Sequence, residues 1–535
     1  MTRPVKHINK LPVTDYIMRS GLRLLLMLMF LIWHANSLLL FSQSVSYING
    51  KIINSATSEP VPFATIRLKN NQLGVFANAE GDFKLIHNPE FQSDSVIITS
   101  IGFKRSSLSF KDLRDKTVNK IFLTPAVYGL GEVKIQASRR KLSSVEIIGR
   151  AIRNIKRNYP KRPFSYIGYY RDYQKRDKNY INLNEAIVQI LDNGFTLPSI
   201  SNKYRLLDFR KNIEFPRMNI SPYYDTVISP GMNNPNKIIP NARIGDQNGN
   251  ELFILMVHDA IRNFKTRSFS FINTFSEDFL YNHEFAEPGK VFDNNILLYK
   301  INFTARSRLT GDSIFVTGAI YIQPKDYSIH KLEYSCSYLT REKEKKEMFN
   351  IDTEYGYENS VDSLMCLKFI SFNNIFNVTD TDDTTYFRML DSYWDKNSAA
   401  TMILEFNNAI DPASAARREN YEIKVGRKAA KINNVIARGK MLYIRLKDEN
   451  ILGFKDSSFV NVKYLKDING NILNKQKILE FNQYRELFVQ EYNRSLSFTD
   501  SCYMQYLPLE QNCLSGYSGK EKYWMNTPEN IKADK

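Results

Sequence analysis

From Ile48 to Ile135 the chain alternates short apolar stretches with turn residues, and that spacing restricts the segment to a small β fold. Ala64, Ile66 and Leu68 alternate with Thr65 and Arg67, the period-two pattern of a strand buried on one face. Asn78 to Gly81 reads as a four-residue turn, because Asn and Gly accept backbone conformations that other residues resist. Short strands at roughly ten-residue spacing, divided by turns, predict a β-sandwich.

Five stretches carry a family likeness: Ile48–Ile52, Glu59–Leu68, Asn78–Phe83, Ile98–Phe103 and Leu130–Ile135. Together they resemble the carboxypeptidase-like regulatory domain. That resemblance implies a seven-stranded sandwich of the kind placed at the front of envelope proteins and outer-membrane receptors. It implies no peptidase chemistry, and it speaks to fold and compartment rather than to activity.

Ahead of the sandwich, Arg19 and Arg23 precede the apolar run Leu24–Trp33, the arrangement of a signal-peptide core. Residues 1–44 therefore read as a signal peptide cleaved near Ser42–Ser44. The alternative is an uncleaved anchor, since the run continues through Leu38–Phe41 and approaches the ~18 residues of a membrane span. Removal of 1–44 lowers the net charge from +17 to +13. In an exported chain that excess points to an anionic envelope surface or a polyanionic glycan rather than to nucleic acid, or simply to a solvated basic surface. Four cysteines suit an oxidising compartment. Cys502 and Cys513 would close a short loop near the C-terminus, and Cys336 and Cys366 lie in strand-like segments that could be bridged.

Behind the sandwich comes a basic helix predicted over Ser144–Tyr159, capped by Ser143 or Ser144 and stopped by Pro160. Val145, Ile148, Ala151, Ile152 and Ile155 share one face, and Arg150, Arg153 and Arg157 the other. The helix reads as a linker with solvated charges, or as a contact with anionic lipid or glycan through the three arginines. From Phe164 the pattern turns to strands, with a long irregular loop over Pro216–Pro240 and a short helix near Leu252–Phe264. Ser313–Tyr338 reads as a hairpin reversing at Pro324-Lys325-Asp326, and it is similar to hairpins of half-barrel sheets in envelope proteins that handle lipoproteins and lipids. The mixed-charge run Arg341–Glu347 reads as a solvated connection.

Further on, Ile403–Pro412, Asn420–Ile423 and Val462–Asn471 resemble the bacterial Ig-like domain, a module that acts as a spacer or contact surface. The expected order is thus a signal peptide (1–44), a regulatory-like sandwich (45–137), a basic linker helix (138–162), a β-rich domain (163–396), an Ig-like sandwich (397–483) and a polar tail (484–535). The fold class is mainly β and multidomain, with a middle antiparallel sheet and a few helices.

Catalytic signals are sparse. His87-Asn88-Pro89-Glu90 has the His-x-x-Glu spacing that zinc carboxypeptidases use for two ligands. Zinc needs a third protein ligand, and Pro89 forbids an ordinary helix or central strand there. His258-Asp259 and His283-Glu284 are adjacent and so point apart, and His330 reads as a partly exposed strand residue. No nucleophile elbow, phosphate loop or dinucleotide fingerprint is present. The sequence therefore leads to a non-catalytic envelope binding or accessory protein without a cofactor, whose counterpart is an envelope protein or a glycan. A carbohydrate-binding protein is the first alternative, with aromatic rings on a sheet to stack on sugars, and a zinc hydrolase the second.

Overall fold

The computed structural model describes residues 46–70, 74–114, 117–126, 141–176, 179–218, 220–222, 251–293, 296–340, 343–380, 386–398, 400–447, 457–476, 478–493, 502–505, 507–516 and 523–528. The signal-peptide segment and most of the expected loop over Pro216–Pro240 lie outside the described residues.

Seven strands build the N-terminal sandwich: β1 (Tyr47–Asn54), β2 (Thr65–Leu68), β3 (Gly74–Phe76), β4 (Asp82–Ile86), β5 (Ser95–Thr99), β6 (Ser106–Ser109) and β7 (Asn119–Leu123). They form two sheets, β4-β1-β7 and β3-β2-β5-β6. Ile48, Ile52, Ala64, Ile66, Leu68, Val96 and Ile98 fill the space between them, as the alternation predicts. The Asn78–Gly81 turn forms: the Asn78 carboxamide accepts from the Glu80 and Asp82 amides, and Gly81 has φ +76°. A Cβ at Gly81 would also lie 2.5 Å from the Ile52 carbonyl oxygen, so glycine is required twice over.

The middle of the molecule is a twelve-stranded sheet. Its strands are β8 (Phe164–Arg176), β9 (Asn179–Asp192), β10 (Lys203–Lys211), β11 (Ile220–Pro222), β12 (His283–Phe285), β13 (Gly289–Asp293), β14 (Ile296–Ala305), β15 (Ile314–Ile322), β16 (Ile329–Leu339), β17 (Lys345–Glu358) and β18 (Leu364–Asp380). Between β18 and the last strand an insertion folds by itself, with β19 (Met389–Trp394), β20 (Thr401–Phe406), β21 (Tyr421–Val425), β22 (Lys428–Ala429), β23 (Ile432–Arg438), β24 (Met441–Leu446) and β25 (Ser458–Val462). Strand β26 (Ile478–Asn493) then returns to complete the large sheet.

The order across the sheet is β10-β9-β8-β26-β18-β17-β16-β15-β14-β12, with β11 paired to β18 and β13 to β14. Strand β26 pairs antiparallel with β18 on one side and with β8 on the other. This corrects the expected domain order. The boundary at 483 falls inside a sixteen-residue strand, and Tyr484–Glu491 is the centre of the sheet rather than a short extension. The expected Ig-like segment is the tip of a β18–β26 hairpin, and it begins with β19, ahead of the expected residue 397. Its sheets, β19-β20-β24-β23 and β22-β21-β25, close on Leu404, Phe406, Ile423, Leu442 and Ile444 as a second sandwich.

One face of the large sheet is apolar and covered by helices. Helix α1 (Ser144–Asn158) begins with a reciprocal cap, in which Ser143 Oγ accepts from the Glu146 amide and the Glu146 carboxylate accepts from the Ser143 amide. Ile147, Ile148, Ala151, Ile152 and Ile155 are buried against the sheet, so α1 is part of the main core rather than a linker. Val145, expected on that stripe, is exposed, and Ile147 takes its place. Helix α2 (Glu251–Met256) is shorter than expected and passes into turns that bury Ala260, Ile261 and Phe264 in the same core.

Residues 502–505 and 507–516 pack against the large sheet. Met504 N donates to Tyr204 O and Ser515 N to Leu206 O, both at 2.8 Å, so this segment covers the open edge of β10. Cys502 and Cys513 are disulfide-bonded, which closes that segment into a clip. Cys336 and Cys366 are buried free thiols on β16 and β18, strands separated by β17, so the expected bridge between neighbours does not form. Replacing Cys513 by Ser is expected to cost about 2–3 kcal/mol through loss of loop closure. Denaturant titration would read that loss, and a non-reducing peptide map of the wild type should return the Cys502–Cys513 link. Free thiols at both positions would contradict it.

Candidate functional site

The second face of the large sheet is polar, and strand register arranges it in three rows. The first row runs Lys300–Tyr321–Lys331–Glu354–Phe369–Phe488–Tyr169 across seven strands. Phe369, Phe488 and Tyr169 in this row are buried against Phe63 and Phe76 of the N-terminal sandwich and Tyr523 and Met525 near the C-terminus. Ile101 packs on Leu298, Ala319 and Tyr321 at the other end. The sandwich thus lies along this row.

The second row is charged: Asn302–Ala319–Glu333–Asp352–Ser371–Glu486–Arg171–Glu185. Arg171 and Glu486 are a fully buried ion pair, and Tyr173 donates to the second Glu486 oxygen at 3.2 Å. Glu185 accepts from Tyr169, Asn212 and Thr527. Beside these, Glu80 of the sandwich turn binds Lys175 and accepts from Tyr180 at 3.1 Å. Burial alone would raise the Glu80 carboxyl, but the Lys175 ammonium outweighs it and holds the group below its ordinary range. The turn read from sequence is therefore the latch between sandwich and sheet.

At the other end of this row, Glu333 accepts from Lys331 at 2.8 Å and from Tyr321 at 3.1 Å. Burial opposes ionisation of Glu333, yet Lys331 wins and lowers it. Burial pushes Asp352, its cross-strand neighbour, up to about 6, with Lys331 opposing and Glu333 adding repulsion. Burial likewise raises Glu354 to about 7. Two carboxyls with affinities driven apart suit acid–base chemistry. Here both oxygens of Glu333 are already engaged by Lys331 and Tyr321, which favours a positioning role.

The third row carries hydroxyls and amides: Thr304–Thr317–Ser335–Asn350–Asn373–Tyr484, ending on buried Tyr173. All six before Tyr173 are exposed or half-buried. Three cavities follow this row. One of about 800 Å³ lies over β14–β17 between Glu284, Lys300, Thr317, Glu333 and Asp352. A second of about 260 Å³ shares Asn350 with it and reaches Asn373 and Tyr484. A third of about 590 Å³ shares Tyr484 and ends against Asn49, Glu80 and Lys84 of the sandwich. Each neighbouring pair shares one wall residue, Asn350 or Tyr484, so the three lie in series across the sheet and together form its groove.

The residues singled out in the sequence fall elsewhere. Arg150, Arg153 and Arg157 are exposed on the outer face of α1. Arg150 donates to the Tyr327 hydroxyl at 2.9 Å, and Asn158 donates to the Asp326 carbonyl at 3.0 Å, so the β15–β16 turn is tied to the helix. His87 stacks over Phe110 and contacts Gln92, while Glu90 sits in a one-turn helix whose amide donates to Asn88. Neither enters the groove. His258 packs edge-on to Phe372, and burial lowers it to about 3, whereas Asp259 accepts from Tyr355 at 2.6 Å. His283 contacts the Phe279 carbonyl while Glu284 pairs with Arg306, so both adjacent pairs do point apart. His330, expected to be partly exposed, is buried 3.6 Å from Asp293. Of the run Arg341–Glu347, Arg341 and Glu342 lie outside the described residues, Lys343 and Glu344 lead into β17, and Lys345–Glu347 begin that strand. Among the described residues no group of three His, Cys, Asp or Glu is placed to hold a metal ion, and no helix is long and apolar enough to cross a membrane.

Residues 48–135 match the CarboxypepD_reg-like domain, in agreement with the seven-stranded sandwich. No match is found among curated proteins or among solved structures.

Sequence reasoning missed the groove. Its only local trace is that every second residue from Lys300 to Thr304 and from Lys331 to Ser335 is polar, opposite an apolar face. An unfolded glutamate titrates near ~4.3, well below Glu354 in the fold. Between those values the folded chain holds the extra proton, so this contribution favours the fold at acid pH and fades as pH rises through 7. Glu354→Gln should therefore be more stable than wild type at pH 8 with little difference at pH 4. Urea titrations giving the same difference at both pH values would show that Glu354 ionises normally.

Proposed function

We propose that this chain is a non-catalytic, exported binding or accessory protein of a Gram-negative envelope, which uses the groove on its large sheet to hold an envelope component. The groove carries the reading: the sandwich and the residues near the C-terminus cover one side of the polar face and leave the hydroxyl row accessible. The CarboxypepD_reg-like match and the apolar run Leu24–Trp33 support export. The inserted sandwich, which resembles a bacterial Ig-like domain, serves as a spacer or second contact surface.

A photo-activatable residue at Thr317 in the full chain, expressed in Gram-negative cells, tests this. The mature protein should fractionate with the envelope, begin near Ser42–Tyr47, and form an adduct at Thr317 but not at a control position on the sandwich such as Lys111. Cytosolic recovery with an intact Met1 would refute export, and equal labelling at both positions would refute the groove.

A second contact is supported by α1, whose Arg150, Arg153, Lys156 and Arg157 are all exposed. These side chains would give a salt-sensitive attachment to anionic lipid, acting over about a Debye length, ~8 Å at physiological salt. Reversing the three arginines to Glu should leave stability within about 1 kcal/mol, since exposed pairs contribute little. Binding to vesicles containing anionic lipid should fall at least tenfold. Undiminished binding would leave α1 with a packing role alone.

A further inference from the structure

We infer that the groove takes a linear, uncharged polysaccharide, laid across the strands with successive sugar rings on successive members of the hydroxyl row. This rests on the reading of the groove as the binding site and names its ligand class.

Spacing is the first argument. Thr304, Thr317, Ser335, Asn350, Asn373 and Tyr484 are direct cross-strand neighbours. Adjacent strands lie ~4.8 Å apart, so the six positions span ~24 Å at a regular interval. That interval is comparable to one pyranose ring with its linkage. An extended polypeptide advances only ~3.3 Å per residue and would fall out of step within two strands.

Chemistry is the second. Hydroxyl and carboxamide side chains both donate and accept, which matches sugar hydroxyls. Asn350 and Ser335 are held in place by the Glu347 carboxylate, at 2.6 Å and 3.1 Å, and Asn373 donates to Asn350 at 2.9 Å. Tyr484 ends the row with its ring stacked on Tyr173, 5.0 Å between centroids and 7° between planes, and with the Lys175 ammonium 5.2 Å from its centroid, so the row closes on an aromatic pair.

Charge is the third, and it separates neutral chains from anionic ones. The whole chain carries +17, yet the walls of the three cavities hold seven acids against five lysines. Lys346 is itself paired with Glu480. Glu284 is paired with Arg306, Glu333 with Lys331, Glu80 with Lys175 and Asp82 with Lys51, so the groove offers a uronate or phosphate polymer no excess of positive charge.

The test is calorimetric titration of the full mature chain with β-1,4-linked glucose and N-acetylglucosamine oligomers of two to six rings, and with polygalacturonate. Affinity for at least one neutral series should rise with each ring up to about six, and polygalacturonate should not compete. Thr317→Val and Ser335→Ala should each weaken the hexamer about three- to tenfold, as loss of one hydrogen bond does, with unchanged melting temperature. Length-independent binding, effective competition by polygalacturonate, or no binding by either series would overturn the inference. If neutral sugars fail while the Thr317 photo-adduct is a protein, the groove stands and the ligand class is wrong. If both fail, the groove reading falls with it.

Discussion

The pairing of β26 with both β8 and β18 is the constraint on which the molecule depends. Without it the large sheet would be two sheets, β8–β10 and β14–β18, each with a raw edge of unpaired amides and carbonyls. With it, Glu486 reaches Arg171 across 315 residues of sequence and is buried there. A buried ion pair adds little over well-packed apolar residues, but losing one partner strands the other charge and costs about 3–5 kcal/mol. The pair therefore specifies register: a slip of one residue would turn Glu486 into the apolar core and Leu487 onto the polar face.

The two faces then follow from alternation. Leu332, Tyr334 and Cys336 face the helix-covered core while Lys331, Glu333 and Ser335 lie on the polar face. Gly318 shows how tight the apolar side is, since a Cβ there would lie 2.3 Å from the Phe303 ring and 2.2 Å from the Glu333 carbonyl. The polar side is divided by the sandwich. Aromatic rings that sequence alone would offer to sugars, such as Tyr169, Phe369 and Phe488, are spent on holding the sandwich down. Of the rings in the hydroxyl row only Tyr484 is half-buried rather than buried, so the sugar binding proposed for this face would rest on hydrogen bonding more than on stacking.

What was legible in the sequence is what local chemistry decides. The Asn78–Gly81 turn, a serine cap at the start of α1 and the hairpin at Pro324-Lys325-Asp326 all depend on residues within a few positions of one another, and all form. What was hidden depends on partners far apart. Tyr484–Glu491 has ordinary strand composition, and nothing in it announces that its neighbours are Tyr166–Tyr173 and Phe369–Asn373. The seven-residue hydroxyl row is spread over seven strands at one residue each, so no window of sequence contains it. Even Val145 and Ile147 exchanged places for this reason: the orientation of α1 is set by the sheet beneath it, which the helical period does not see.

A sheet stitched by its last strand also has a history written into it. Strands β14 to β18 can pair in order as they emerge, but β8 must wait until almost the whole chain exists before β26 arrives. Contacts this remote make for slow folding, because the entropy of closing the intervening loop is lost before any pairing compensates for it. The inserted sandwich shortens that wait. Once folded, it would hold the end of β18 and the start of β26, which pair at Thr379 and Ile478, at neighbouring points in place of a long unfolded loop. An apparently decorative insertion thus becomes a folding aid, and a chain that crosses a membrane unfolded would complete its large sheet only on the far side.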